Sequence, residues 1–317
     1  MSQVLLAERK AAVLTPSQLA CLAWLPTINL TAGCAHECLY CYARGYSQNP
    51  GQGRVTLYAN TLEKLRKELP RKRRRPQAVY FSPSCDVFQP VPEALDLAYE
   101  VFAFLLQGGI GVAFLTKGRI PARHMDLLKD HSPMIHAGIG LTTLDRHIWE
   151  MFEPYTAPPD VRAAQIETLV QAGIDVQVRL DPILPGLTDD ERTLDGLLAT
   201  LARLGVRDVA VSTAFMRPSV VRTIQCHVRE RPIVETLLSY YTSGPTLTIR
   251  GAGTAILVPP VATRRAIYER VRRIAACYAI PICICACKNG DLADGSCHIA
   301  GDWSHRPNGF RQRALFE

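Results

Sequence analysis

The chain has 317 residues, 48% of them hydrophobic, so it can bury a sizeable core as one large domain or as one domain with appendages. Its formal net charge is +7, and its eleven cysteines follow a start without an apolar leader. These features argue against a disulfide framework and favour metal ligation in a reducing cytoplasm. No apolar run is long enough to cross a bilayer, so we expect a cytoplasmic protein with no membrane partner.

The first predicted strand is the apolar run 25–31, which leads into a loop with three closely spaced cysteines. Cys34, Cys38 and Cys41 form a C-x3-C-x2-C pattern. Three thiolates on one short loop can hold three irons of a [4Fe–4S] cube, because soft sulfur ligands favour iron–sulfur clusters. One iron would then keep an open coordination position. The alternatives are ordinary buried thiols or zinc, although zinc motifs normally pair two C-x2-C units.

After this loop the sequence alternates between helical and strand patterns. We predict helices at 58–69, 92–107 and 161–171, with a short helix before residue 134 and another before residue 206. The further predicted strands are 77–83, 110–116, 134–142, 174–181 and 206–212. Six strand–helix units between residues 25 and 213 predict an α/β fold with a parallel sheet covered by helices.

The cysteine loop resembles the signature of the radical S-adenosylmethionine (SAM) enzymes, including the aromatic Tyr40 just before the third cysteine. In that family SAM chelates the open iron, and the reduced cluster cleaves SAM to methionine and a 5′-deoxyadenosyl radical that abstracts hydrogen from substrate. The resemblance implies a partial (β/α)6 TIM-type barrel with its site at the strand carboxyl ends, and Tyr40 beside the cofactor. It also implies an external one-electron reductant such as flavodoxin or ferredoxin.

Segments 81–90, 140–145 and 179–186 extend the resemblance to the spore photoproduct lyase-like branch, whose members are often labelled DNA repair photolyases. Cys85 lies near the position where spore photoproduct lyase has a cysteine that returns a hydrogen atom to the product radical. Because a thiol is a good hydrogen-atom donor, Cys85 is the candidate catalytic residue. The alternative is a buried cysteine that serves as a small hydrophobic side chain.

SAM requires partners for an ammonium, a carboxylate, two ribose hydroxyls and an adenine. Ser82 and Ser84 can accept from the ammonium, in place of the Gly-Gly-Glu type motif that is absent after the second strand. Thr142 or Asp181 can bond the ribose hydroxyls, and Ile183 can flank the adenine.

Lys117 or Arg179 can pair with the carboxylate of SAM. Lys117 directly follows an apolar strand, and a buried cation at a barrel mouth is costly unless an anion pairs with it. The alternative is that both cations form structural salt bridges with acidic residues at the strand ends: Asp145, Glu153 or Asp181.

A second group of cysteines, with the pattern C-x-C-x-C-x9-C, lies near the carboxyl end: Cys283, Cys285, Cys287 and Cys297. Alternate residues of a strand are roughly 6.6 Å apart, which suits neighbouring ligands of one cube. Cys283 and Cys287 would be about 13 Å apart on a straight strand. Either the segment bends or one cysteine is a bystander. An auxiliary [4Fe–4S] cluster, a zinc site and reduced structural thiols all remain open. The other cysteines have no partner at ligand spacing and are predicted to be structural: Cys21, Cys226 and Cys277.

The predicted organisation is an N-terminal extension at 1–24, the radical SAM barrel at 25–215 and a cysteine-rich C-terminal extension at 216–317. Basic runs at 64–75 and 215–231 make nucleic acid a candidate partner, although the first run also suits a solvated helix end. Three hypotheses follow: a radical SAM enzyme acting on nucleic acid or a nucleotide lesion, one modifying a small molecule or peptide, and a non-catalytic iron–sulfur or zinc protein.

Overall fold

A computed structural model describes residues 2–17, 19–248, 255–293 and 295–303. The strands are β1 (Gln3–Ala7), β2 (Thr15–Pro16), β3 (Pro26–Ile28), β4 (Thr31–Ala32), β5 (Arg54–Tyr58), β6 (Ala78–Phe81), β7 (Gly111–Thr116), β8 (Ile135–Gly140), β9 (Asp175–Ile183), β10 (Val209–Thr213), β11 (Thr246–Thr248), β12 (Ala255–Leu257) and β13 (Ile282–Ile284). The α-helices are α1 (Thr61–Glu68), α2 (Pro92–Gln107), α3 (Ala122–Asp130), α4 (Arg146–Phe152), α5 (Pro159–Gln171), α6 (Glu191–Arg203), α7 (Pro218–His227), α8 (Arg231–Ser239) and α9 (Val261–Ala276). Among these helices none is long and apolar enough to cross a membrane.

The main sheet has the strand order β13-β10-β9-β8-β7-β6-β3-β2. Every neighbouring pair is parallel except β2 and β3. The six strands from β3 to β10 correspond to the six predicted strands, and helices connect the strands from β6 onward. This confirms the predicted α/β fold, a partial TIM-type barrel with its strand carboxyl ends at one edge.

Side chains that alternate along the barrel strands pack into two separate hydrophobic cores, one on each face of the sheet. Val79, Phe81 and Val112 belong to the large core that includes side chains of the surrounding helices. Tyr80 and Ala113 point to the opposite face and form a smaller cluster inside the barrel. Because side chains of a strand alternate between faces, burial on both faces is expected for a parallel sheet covered by helices.

Two predicted elements differ from the structure. The predicted strand 25–31 is two short strands: β3 pairs with β6 in the barrel, whereas β4 pairs with β5 in a small sheet that also contains β1. The predicted helix 58–69 begins only at Thr61, because residues 54–58 extend as β5 between β1 and β4. Short-range patterns do not reveal that the chain changes sheets between Ile28 and Thr31.

The carboxyl-terminal residues continue the barrel. β13 pairs in parallel with β10 and thereby adds a seventh parallel strand. The alternating cysteines suggested strand spacing here, but not that this strand joins the barrel. Further along, Trp303 packs inside the barrel against Gly111, where an added Cβ would lie 2.0 Å from the indole ring. The proposed boundary at residue 215 stays a prediction, but β13 belongs to the same sheet as the barrel strands.

Candidate functional site

The C-x3-C-x2-C loop lies between β4 and a short 3-10 helix at 42–45. Gly33 opens the loop with φ +80°, and an added Cβ there would lie 2.7 Å from the carbonyl oxygen of Arg54, so glycine suits this turn. The guanidinium of Arg44 donates to the carbonyl oxygens of Glu37 at 2.6 Å and Cys38 at 3.2 Å. These bonds hold the loop in one conformation, and all three of its cysteines line a single cavity.

Gln89 is a second support of the loop, which we did not predict. Its side chain accepts from the backbone N–H of Ala35 at 2.9 Å and donates to Thr31 Oγ1 at 2.8 Å. It is 1% exposed, so both groups are satisfied away from water. Gln89 lies within the family-like segment 81–90, but nothing in the local pattern identified its role.

The cavity has a volume of about 540 Å³ and lies at the carboxyl ends of the barrel strands. This volume is in the range of small-molecule sites in proteins, roughly 300–1,000 Å³. Most of the predicted cofactor and catalytic residues line it: Tyr40, Ser82, Ser84, Cys85, Lys117, Arg179 and Asp181. Within the described part of the chain, Thr142 and Ile183 are buried without lining the cavity, whereas Pro182 does line it.

The turn after β6 carries Ser82, Ser84 and Cys85. Ser82 has φ +57° and donates its backbone N–H to the carbonyl of Ile28 at 2.7 Å. Apart from a contact with the thiol of Cys85, its buried hydroxyl has no hydrogen-bond partner among the described residues. An unsatisfied polar group in a cavity is typical of a site that a ligand completes.

Asn29, which the sequence analysis missed, organises the rest of this turn. Its side-chain oxygen accepts from the backbone N–H of Ser84 at 3.1 Å and from the Ser84 hydroxyl at 2.9 Å. The thiol of Cys85 lies 3.7 Å from the same oxygen. Burial raises the pKa of the Cys85 thiol, so the S–H form dominates at neutral pH.

A buried network around Glu153 closes one side of the site. Its carboxylate accepts from Arg162 and Tyr40, and from Thr142 Oγ1 at 2.8 Å. Burial by itself would raise the pKa of the Glu153 carboxyl, but the charge of Arg162, followed by Lys117 and the hydroxyl donors, holds that pKa at about 2. Glu153 is therefore an anion that fixes the Tyr40 ring beside the cysteine loop.

Lys117 extends from the end of β7 across the mouth of the barrel. Its ammonium donates to the carbonyl oxygen of Asp181 at 3.0 Å and lies 3.9 Å from the Glu153 carboxylate. It passes over Gly140, where an added Cβ would approach Nζ to 2.6 Å. These contacts match the structural alternative of the sequence analysis, while the side chain also faces the cavity. Asp145, another partner considered there, instead caps α4.

Arg179 and Lys288 surround Asp181 on the opposite wall. The Asp181 carboxylate lies 2.6 Å from Lys288 Nζ and 3.2 Å from the Arg179 guanidinium. Burial opposes ionisation of Asp181, but Lys288 and then Arg179 lower its pKa below the ordinary value. Lys288 comes from the carboxyl-terminal segment and was not predicted to reach the site.

The second cysteine group faces the same cavity. Cys285, Cys287 and Cys297 line it, together with Cys21 from the amino-terminal segment. In the described part of the chain, no group of three or more histidine, cysteine or acidic side chains is spaced to hold a metal ion, and this applies equally to the first loop. The donor set of both groups, thiols alone, fits iron–sulfur ligation.

Comparisons with known proteins agree with this geometry. Residues 28–198, more than half of the chain, match the family model described as Radical SAM superfamily. An uncharacterized protein of Mycobacterium tuberculosis strain H37Rv is 29% identical over 272 residues, which cover 82% of this chain and 76% of that protein. The radical SAM Nalpha-GlyT isomerase of Pseudomonas phage M6 is 28% identical over 171 residues, which cover 53% of this chain and 35% of the isomerase.

Two solved structures share the fold. A spore photoproduct lyase variant with bound AdoMet and dinucleoside spore photoproduct has a TM-score of 0.68 at 16% identity, covering 89% of this chain and 81% of the lyase. Streptococcus suis SuiB bound to S-adenosylmethionine has a TM-score of 0.52 at 11% identity, covering 81% of this chain and 49% of SuiB. At these identities the likeness concerns the barrel and its connections.

Proposed function

This chain belongs to the radical SAM superfamily, and on that premise we propose that it cleaves SAM and abstracts hydrogen from a nucleic acid or nucleotide lesion. Cys34, Cys38 and Cys41 would hold a [4Fe–4S] cluster, which would supply the electron that breaks SAM into methionine and a 5′-deoxyadenosyl radical. The observation that carries the proposal is the shared cavity, which the three cysteines line together with Cys85. An external one-electron donor such as flavodoxin or ferredoxin would reduce the cluster.

Side chains in the cavity supply partners for the polar groups of SAM. The Ser82 hydroxyl is buried, with only the Cys85 thiol beside it, so it can accept from the ammonium of SAM. Lys117 is available at the barrel mouth for the carboxylate, because one of its present partners is a neutral carbonyl oxygen and its carboxylate partner is 3.9 Å away. A charge-assisted contact of this kind contributes about 1.5–3 kcal/mol.

Cys85 is proposed as the hydrogen-atom donor to the product radical. Its pKa is raised by burial, so the transferable hydrogen is present on sulfur at neutral pH. Donation leaves a thiyl radical, which one electron from the external reductant and one proton from solvent restore to the thiol. The thiol lies 3.7 Å from the side-chain oxygen of Asn29, and Cys85 lines the cavity.

Cys85→Ala should retain 5′-deoxyadenosine formation but lose hydrogen transfer from sulfur to product. Because a thiol exchanges its hydrogen with solvent, the wild-type protein in deuterated buffer should place deuterium in the product of dinucleoside spore photoproduct, used as the probe. Mass spectrometry of the product measures this, with Cys277→Ala, which removes an exposed thiol directly after α9, as the matched control. Equal deuterium incorporation in the two variants would contradict the role of Cys85.

The nucleic-acid proposal rests on a cationic groove that continues from the cavity. The groove shares Arg44 and Gln52 with the cavity wall and extends to Arg222 and His227 on α7. The basic run 64–75, whose arginines Arg73, Arg74 and Arg75 are exposed, does not line the cavity. The groove is therefore the better placed surface for phosphate groups.

Arg222→Ala should weaken DNA binding about equally for all sequences, because phosphate contacts carry no base information. The slope of the logarithm of the binding constant against the logarithm of salt concentration should fall in magnitude by roughly one. Fluorescence anisotropy with a single-stranded oligonucleotide measures both effects. The matched control is Arg73→Ala, an exposed arginine of the basic run outside the cavity.

The outcome also decides between substrate classes. If both arginine variants bind DNA as the wild-type protein does, the groove is not a nucleic-acid surface. That result would favour the alternative, a small-molecule or peptide substrate. If the control weakens binding and Arg222→Ala does not, the basic run is the phosphate-contacting surface.

The carboxyl-terminal cysteines support a second, auxiliary [4Fe–4S] cluster in the same cavity. Cys285 and Cys297 are 3% and 1% exposed, and Cys287 lies beside them. A cluster closed by four thiolates has no open iron, so its role would be electron transfer or structural support. Metal analysis that finds only zinc would replace this proposal with a structural zinc site.

A further inference from the structure

The tail and the amino-terminal segment together bring five cysteines to one place, one more than a [4Fe–4S] cube takes. We propose that the auxiliary cluster is held by four of them: Cys21, Cys285, Cys287 and Cys297. Cys283, which belongs to the sequence motif, is then a bystander. This assignment rests on the proposed auxiliary cluster and identifies the residues that hold it.

Cys21 reaches the tail although 266 residues separate it from Cys287. Its backbone N–H donates to the sulfur of Cys287 at 3.3 Å. Its side chain lies in the same buried cluster as those of Cys285, Cys287 and Cys297. All four side chains line the cavity, and Cys21 is 8% exposed. The amino-terminal segment supplies the thiol that the tail alone lacks.

Cys283 has a different environment. It lies on β13, opposite Ala210 of β10, and its thiol donates to the carbonyl oxygen of Ser296 at 2.9 Å. Among the described cysteines of this group it does not line the cavity, whereas the four proposed ligands do. Its sulfur is held by a backbone acceptor.

A tight turn explains why Cys287 joins the cluster site. The straight strand ends at Ile284, and the backbone N–H groups of Lys288 and Asn289 then both donate to the carbonyl of Cys285, at 3.2 and 2.9 Å. The turn shortens the path from Cys285 to Cys287 relative to an extended strand. Asn289 is fully buried and accepts from Tyr268 at 2.8 Å, which anchors the turn.

The charges around the four thiols suit an anionic cluster. A cube with four thiolates carries excess negative charge, and burying such charge is costly unless cations lie beside it. Arg179 is 1% exposed and lines the same cavity as Cys285 and Cys297, while its Nε has no hydrogen-bond partner among the described residues. Lys288 is the residue after Cys287 and lines the same cavity. Both cations pair with the single carboxylate of Asp181, which leaves one positive charge in excess beside the thiols.

The test compares two single variants of the anaerobically reconstituted full chain. Iron and acid-labile sulfide are measured per chain, with EPR spectra of the reduced proteins. The wild-type protein and Cys283→Ala should hold about eight irons, whereas Cys21→Ala should hold about four. Cys277→Ala, which removes an exposed thiol outside the site, should also hold about eight.

The remaining four irons and 5′-deoxyadenosine formation by Cys21→Ala serve as its internal control for folding. If that variant precipitates, Cys21→Ser, which is nearly isosteric, replaces it and should lose the second EPR signal or shift it. An unchanged iron content and spectrum in the Cys21 variants would overturn the assignment, as would loss of four irons in Cys283→Ala. Wild-type protein with only four irons, or with zinc in their place, would overturn the auxiliary cluster and the assignment together.

Discussion

Replacing Cys34, Cys38 and Cys41 together by alanine should reduce 5′-deoxyadenosine formation to the level seen without protein. The three thiols lie on one loop and face one cavity, and alanine offers no ligand to iron. Arg44, Gln89 and the turn at Gly33 support the loop through backbone groups, so its conformation should survive the change. Anaerobic assays with SAM and dithionite, analysed by chromatography, measure the product.

The matched control replaces two exposed cysteines, Cys226 and Cys277, by alanine. This control should cleave SAM at the wild-type rate, because Cys226 lies on the outer helix α7 and Cys277 directly follows α9. Circular dichroism should show the same fold for the wild-type protein and both variants. SAM cleavage that persists in the triple variant would place the catalytic cluster elsewhere and would refute the proposed chemistry.

Arg162→Leu should lower the free energy of unfolding by about 3–5 kcal/mol, the usual effect of leaving a buried charge without its partner. The Arg162 side chain is 1% exposed and donates to the Glu153 carboxylate and to the carbonyl of Gly140 at 2.6 Å. Without the guanidinium, Glu153 stays buried next to Lys117, which is 3.9 Å away. Urea unfolding followed by circular dichroism measures the loss.

Arg146→Leu is the matched control, because it removes the same cation from an exposed ion pair. Arg146 lies 3.2 Å from Asp160, and the two side chains are 63% and 69% exposed. Solvent screens such a pair, so the expected loss is below about 1 kcal/mol. Equal losses in the two variants would mean that the buried pair contributes no more than a surface contact.

The same network sets a pH dependence. The pKa of Glu153 is about 2 in the folded protein, against an ordinary value of 4.5. A carboxyl group with a lowered pKa contributes stability that is complete above its ordinary value and is lost as the pH falls through the folded value. The wild-type protein should therefore lose this part of its stability between about pH 4.5 and 2. In Arg162→Leu the pKa of Glu153 should be higher, because the variant lacks the cation that lowers it most. This variant should therefore lose the acid-dependent part of its stability at a higher pH than the wild-type protein.

Several features of the fold could be predicted because they depend on local patterns. All six predicted barrel strands exist, since apolar runs between helical patterns specify buried parallel strands regardless of distant residues. The helix α4 was not predicted, because its seven residues are too few to show a clear helical periodicity. Its start is set by the side-chain cap Asp145, which a hydrophobic pattern does not reveal. The change of sheets after Ile28 was missed for a related reason, since partners on β5 and β6 decide it.

The sequence alone determined the family and located the first cysteine group, because those three cysteines lie within eight residues and their spacing is independent of the fold. It also indicated which strand ends carry polar groups, since parallel strands bring their carboxyl ends to one edge. Only the tertiary structure decided which groups meet there. Cys21 and Cys287 come into contact across the barrel, and Lys288 reaches Asp181, because β13 docks beside β10. Contacts between residues so far apart in the chain leave no periodic signal in the sequence, so the partners of a buried charge or thiol become visible only when the strands are paired.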